Sequence, residues 1–253
     1  MLEHPFDLSN EYAVITGGGT GLGLAIAHSL AACGAEVCLV GRRLEPLQEA
    51  ASQIGTAASA YSLDICEENA PEQLVEHLTS EGKAPSILVN NAGIHLKKPA
   101  HETTPGEFKK VLDTHVNASF ALTRALLPGI YERKHGSIIF IGSMASLFGI
   151  PQVIAYTAAK TAHLGLVRGL AVEAGQHGVR VNGIAPGWFD TAMSRKAFEG
   201  DPARKEKVLG RTPMGTLGQP EDVGWACAFL CSPGARFITG TMLPVDGGAS
   251  IGF

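Results

Sequence analysis

YAVITGGGTGLGLAIAHSLAACG, Tyr12 to Gly34, is the stretch whose reading decides the fold. YAVIT is a short apolar run without polar alternation, bounded by glycines, as in a strand buried on both faces. GLGLAIAHSLAACG, Gly21 to Gly34, places apolar residues at helical spacing and stops at a glycine. Between them lies TGGGTGLG, Thr16 to Gly23. Glycines let a backbone approach an anionic group closely. A helix N-terminus adds unpaired N–H groups and the positive end of a dipole. Such a cluster alone marks no more than a tight turn. At the first strand–helix junction of a parallel sheet it becomes a pyrophosphate cradle.

Working outward, the same alternation repeats. AEVCLV, SAYSLDI, SILVNNAG, GSIIFIGS, GVRVNGIAPG and TMLPVDGG read as six further strands. RRLEPLQEAASQIG and ENAPEQLVEHLTSEG are amphipathic helices, and a long helix is expected from Pro105 to Lys134, with Pro105 in its first turn. Further helices are expected from Val153 to His177 and over QPEDVGWACAFLCS. Strict βαβα order implies a parallel sheet with helices on both faces. The expectation is one α/β domain over residues 1–253, doubly wound and Rossmann-type, with a mostly parallel seven-stranded sheet. The polar stretch from Asp190 to Met214 reads as a loop-like lid, about residues 190–214, carrying Arg195, Lys196, Arg204, Lys205, Lys207 and Arg211.

Composition bounds the rest. Of 253 residues, 45% are hydrophobic and 17% charged, ordinary for a soluble globular protein. A net charge of −4 implies no basic face for nucleic acid. The N-terminus lacks an apolar signal region, and no run is long enough to span a membrane, so a cytoplasmic location is expected. The five cysteines form no CxxC, so neither disulfides nor a metal site is expected.

Four motifs occur in order: TGxxxGxG, NNAG (Asn90–Gly93), YTAAK (Tyr156–Lys160) and APG (Ala185–Gly187). Together they resemble the short-chain dehydrogenase/reductase family, over nearly the whole chain from Tyr12 to Gly248. The resemblance implies a nicotinamide cofactor held by Gly17, Thr20, Gly21, Leu22 and Gly23, with Asp64 and Ile65 near the adenine. Asn90, Ala92, Gly93, Tyr156, Lys160, Pro186, Gly187, Phe189 and Thr191 would complete its site. The second strand ends LVGRR, with Gly41 where an NAD-preferring protein places an acid. Arg42 and Arg43 suit a 2′-phosphate, so NADP(H) is preferred and NAD(H) remains possible; the competing reading is a solvated helix start.

Tyr156 and Lys160 are four apart, on one helix face. A neighbouring ammonium favours the phenolate and lowers the tyrosine's pKa. The phenol can then exchange a proton with a carbonyl or alcohol oxygen, and Ser143 at a strand end can hydrogen-bond that oxygen. The family gives these three positions those roles. Its fourth residue is an asparagine in a DxNxxxxF pattern. On DTHVNASF, Asp113 and Phe120 fix a register that puts His115 there, with Asn117 on another face. His115 could relay protons and titrate near neutrality, or be a structural histidine. NNAGIHLKKPA and APGWFDTAM look like the gluconate 5-dehydrogenase-like branch, implying a sugar acid or polyol. PMGTLGQPEDV is similar to 3-oxoacyl-carrier-protein reductases, the alternative. A non-catalytic nucleotide sensor is the rival of another class. The family assembles as dimers or tetramers, so a homo-oligomer, a homotetramer for instance, is implied.

Overall fold

The computed structural model describes residues 4–252, apart from the side chains of residues 192, 193, 197 and 204. The proposed lid cation Arg204 therefore lies outside the described side chains. Seven parallel strands form one sheet in the order β3-β2-β1-β4-β5-β6-β7. They are β1 (Tyr12–Thr16), β2 (Glu36–Gly41), β3 (Ala58–Ser62), β4 (Ile87–Asn90), β5 (Gly136–Ile141), β6 (Val179–Pro186) and β7 (Met242–Val245). The helices are α1 (Gly21–Ala32), α2 (Leu44–Ile54), α3 (Ala70–Ser80), α4 (Pro105–Leu112), α5 (Ala118–Glu132), α6 (Ile154–Gly175), α7 (Ala192–Phe198), α8 (Pro202–Arg211) and α9 (Pro220–Cys231).

The continuous apolar strands have a simple cause: both faces are covered. Ala13, Ile15, Val37, Leu39 and Ile139 pack with Ile26 and Leu30 of α1 and Val223 and Leu230 of α9. Their neighbours Val14, Cys38, Val40 and Phe140 pack the other way, with Leu74 of α3, Leu122 and Ile130 of α5 and Val167 of α6. Successive side chains on a strand alternate faces, so burial of both faces removes any polar alternation. The chain moves outward from β1 to β3, then returns to β4 on the other side of β1. That reversal opens a crevice at the carboxyl ends of β1 and β4, where open α/β sheets bind ligands.

Two expectations change. The long helix from Pro105 to Lys134 is interrupted by a π turn over Asp113–Asn117. Thr104 and Glu107 form a capping box at its start. Within the turn, hydroxyls compete for helix carbonyls: Thr114 donates to Lys110 O, and Ser119 to His115 O and Val116 O. Such back-bonding favours a locally widened helix, and π turns recur at functional sites. The stretch expected to be a loop-like lid is largely helical. It folds as α7 and α8, separated at Gly200, whose φ is 77°. Thr191 and Ser194 cap α7 reciprocally. α7 is only seven residues long, and α8 is rich in charge with few apolar positions to mark it.

Among the described residues the cysteines are unpaired thiols, with Cys38, Cys227 and Cys231 buried. Among the described residues, no helix is long and apolar enough to cross a membrane.

Candidate active site

The glycine loop takes its shape from backbone freedom and one neighbouring turn. Gly17 and Gly21 have φ of 68° and 57°, a region that favours glycine. A Cβ at Gly23 would collide with the Gly17 carbonyl, so α1 can start this close to β1 only with glycine there. Thr20 precedes α1 without capping it through its side chain, leaving the first-turn N–H groups for a ligand. Leu22 packs against the core beneath. Asn91 braces the loop, its Nδ2 donating to Thr16 O at 2.9 Å and Gly17 O at 3.2 Å. Asn90, expected at the cofactor, instead turns inward and donates to Thr123 Oγ1 at 3.0 Å. Parity along the strand decides this: Asn90, the last residue of β4, shares the face of Leu88, the one covered by α5.

A cleft of about 790 Å³ opens beside the loop, lined by Gly17, Arg42, Asp64, Ile65, Ala92 and Gly93. A side recess of about 100 Å³ is lined by Thr20, Arg42 and Arg43, with no carboxylate in its wall. The Asp64 carboxylate accepts from Cys66 N at 3.0 Å and so shapes the turn after β3. Pro186 ends β6, and at Gly187 a Cβ would sit 2.6 Å from Asp246 Cα. Phe189 is buried and Thr191 caps α7, so these residues form a second wall beyond β6, outside the main cleft.

Ser143, Tyr156 and Lys160 meet where β5 ends and α6 begins. The Ser143 hydroxyl oxygen accepts from Ala145 N at 3.1 Å, which fixes the turn after the strand. Lys160 is 3% exposed and donates from Nζ to Ile141 O at 2.6 Å. Its Nζ lies 5.6 Å from the centre of the Tyr156 ring. Burial pulls the lysine down to about 7. Burial also pushes the Tyr156 phenol above its ordinary value, and the Ser143 hydroxyl pulls the other way. The expected lowering of the tyrosine by the lysine is therefore absent in the chain by itself. Desolvation of a phenolate outweighs an ammonium that is partly committed to a carbonyl.

The family model described as enoyl-(acyl carrier protein) reductase matches residues 17–250. A gluconate 5-dehydrogenase of Gluconobacter oxydans is 36% identical, covering 99% of each chain. The chain belongs to the short-chain dehydrogenase/reductase family. A galactitol 2-dehydrogenase (L-tagatose-forming) of Cereibacter sphaeroides is 38% identical over 97% of each. A gluconate 5-dehydrogenase of Burkholderia cenocepacia, crystallised with NADP and tartrate, superposes with a TM-score of 0.93 at 32% identity, covering 98% of each chain. The protein is thus an oxidoreductase on a single-domain Rossmann-like scaffold.

This short-chain dehydrogenase/reductase surrounds its tyrosine with histidines. His115 is buried in the π turn, its ring edge-on to Tyr156 at 5.5 Å. It packs against Gly93, where a Cβ would collide with the ring. Its Nε2 lies 2.8 Å from Ile94 O, tying the turn to the NNAG loop. Burial, with Lys160 nearby, pulls it down to about 3, so it does not titrate near neutrality as expected. Asn117 is directed elsewhere, donating to Asp113 Oδ1 at 2.8 Å. Two histidines were not legible as site residues. The exposed His95 ring lies 5.1 Å from that of Tyr156. His163, one turn beyond Lys160, donates from Nε2 to His115 O at 2.8 Å. The spacing from Lys160 to His163 was the available signal for the second, since i and i+3 share a helix face.

Proposed function

We propose that the protein interconverts a secondary alcohol and a ketone on a sugar acid or polyol, using NADP(H). The convergence of Ser143, Tyr156 and Lys160, with His115 packed between Tyr156 and Gly93 of the cleft wall, carries this reading. The residues fit a dinucleotide: positive-φ glycines, uncapped first-turn amides and a cleft continuous along Asp64 and Ala92. Arg42 and Arg43 around a recess without carboxylates favour a 2′-phosphate, and NADP in the Burkholderia relative supports the same choice. NAD(H) remains the second cofactor of the assay. The names of the gluconate and galactitol relatives support the substrate class.

Bound NADP(H) supplies or takes the hydride. In reduction the Tyr156 hydroxyl gives its proton to the carbonyl oxygen, and in oxidation the phenolate takes the alcohol proton. The Ser143 hydroxyl donates to the same oxygen and holds it against the tyrosine. Lys160 places its ammonium 5.6 Å from the centre of the Tyr156 ring, where its charge opposes the burial that raises the phenol without outweighing it. His115 positions the Tyr156 ring and the NNAG loop. We read the protein as a cytoplasmic homo-oligomer, consistent with exposed Phe120 on α5 and Val172 on α6.

Steady-state assays on sugar acids, polyols and 3-oxoacyl thioesters with both cofactors test this. Turnover of a sugar acid or polyol, abolished in Tyr156→Phe, is expected. Turnover of 3-oxoacyl thioesters alone would move the protein to the reductase reading. Binding of NADPH without turnover of any substrate would move it to a nucleotide sensor.

A further inference from the structure

His163 lies one helical turn beyond Lys160, so the two side chains share a face of α6. It is 1% exposed. Its Nε2 contacts the His115 carbonyl, which also accepts from Ser119 Oγ at 2.6 Å. A carbonyl can only accept, so Nε2 carries the hydrogen, and in the neutral ring Nδ1 is a bare lone pair. That Nδ1 is buried and makes no hydrogen bond among the described residues, while the Ile141 carbonyl also approaches the ring. A buried acceptor left without a donor is costly, and each one in a folded protein calls for a reason. Lys160, one turn back on the same helix face, acts on the ring through its charge. An ammonium has three hydrogens, and the Lys160 bond found among the described residues goes to Ile141 O.

We propose that His163 is a positioning residue for Lys160: locked to the π turn through Nε2–H, it presents Nδ1 as an acceptor to the lysine ammonium and favours the charged lysine. The proposal rests on the reading of Tyr156 and Lys160 as the reacting pair. It gives the π turn a purpose, because the turn offers the carbonyl that fixes the His163 tautomer. Burial holds His163 at about 3, so the ring stays neutral and an acceptor through the working range. The titratable groups around this centre are Tyr156 on α6, His115 on the π turn and His95 on the loop after β4; β5 contributes only the Ile141 carbonyl and the hydroxyl that follows it. No carboxylate contributes to the ionisation of Lys160, His115 or His163. The lysine's charge therefore depends on neutral acceptors.

The test is the pH profile of kcat for wild type, His163→Leu and His163→Gln, with Tyr156→Phe as a separate arm and melting temperatures for all. Leucine removes the acceptor while keeping volume. Its alkaline limb should move down by about half a pH unit or more, because an unsupported ammonium loses its proton sooner. Glutamine keeps one donor and one acceptor and should restore the limb. A leucine variant that melts lower but keeps the wild-type limb would make His163 a structural tie and overturn the proposal. Undiminished turnover by Tyr156→Phe would instead remove the catalytic pair itself, and the proposal with it. Nitrogen-15 NMR of histidine-labelled wild-type protein with NADP decides the matter without any variant. An Nε2–H ring with a hydrogen-bonded Nδ1 is expected; an Nδ1–H ring or a non-bonded Nδ1 refutes it.

Discussion

Mild acid should destabilise this protein through two histidines that the fold keeps neutral. His115 and His163 are each pulled from 6.5 to about 3, chiefly by burial. Below pH 6.5 the unfolded chain binds a proton at each position, while the folded protein does not until about pH 3. Stability therefore rises with pH across this window and is lost as pH falls through it. At pH 5.5 the loss is about 1.4 kcal/mol for each ring relative to pH 7.5, and about 2.7 kcal/mol for both. For a chain of this size that is about 5–10 °C in melting temperature. The assay is thermal melting at pH 7.5 and 5.5 for wild type and for the double variant His115→Asn/His163→Gln. Other groups titrate equally in both proteins and cancel in the difference. The wild type should lose about 5–10 °C more than the double variant between the two pH values. Equal losses would refute the argument, because they would mean that the rings are protonated in the folded state.

Other predictions concern separate parts of the molecule. Arg180 sits under the end of α9, donating to Leu230 O, to Cys231 O at 3.0 Å and to Ser232 O at 3.4 Å. Arg180→Ala should cost about 2 kcal/mol or more, read by urea unfolding, since buried carbonyls lose a charged donor. Gly23→Ala should abolish NADPH binding in a fluorescence titration, because its Cβ meets the Gly17 carbonyl of the cradle. Arg42→Ala should lower kcat/KM for NADP about tenfold or more while sparing NAD, given a charge-assisted contact to a phosphate; unchanged preference would return Arg42 to the solvated surface. His115→Asn should keep most turnover and leave the profile near neutrality unmoved, since the ring does not titrate there.

Much of the architecture was legible because it follows from local rules. Strands buried on both faces lose their alternation, helices between them keep theirs, and glycines stand where the backbone turns left-handed. Seven strands and the single-domain plan follow from that pattern. At DTHVNASF, His115 lies against Tyr156 and Asn117 bonds to Asp113. Helices α7 and α8 were not legible because α7 has only seven residues and α8 is dominated by charged side chains with few apolar ones among them.

The sequence by itself determined which elements form and which side chains could do proton chemistry, because periodicity, glycine placement and the spacing of Tyr156 and Lys160 are local properties. The tertiary structure decided how those side chains ionise. Whether His115 titrates near neutrality depends on desolvation by α6 and the NNAG loop, which are distant in sequence. The same holds for Asn90, turned inward by its place at the end of β4 against Thr123, and for His163, brought to the His115 carbonyl by the packing of α6 on the π turn. Burial and hydrogen-bond partners are sums over the whole fold, and no stretch of chain contains them.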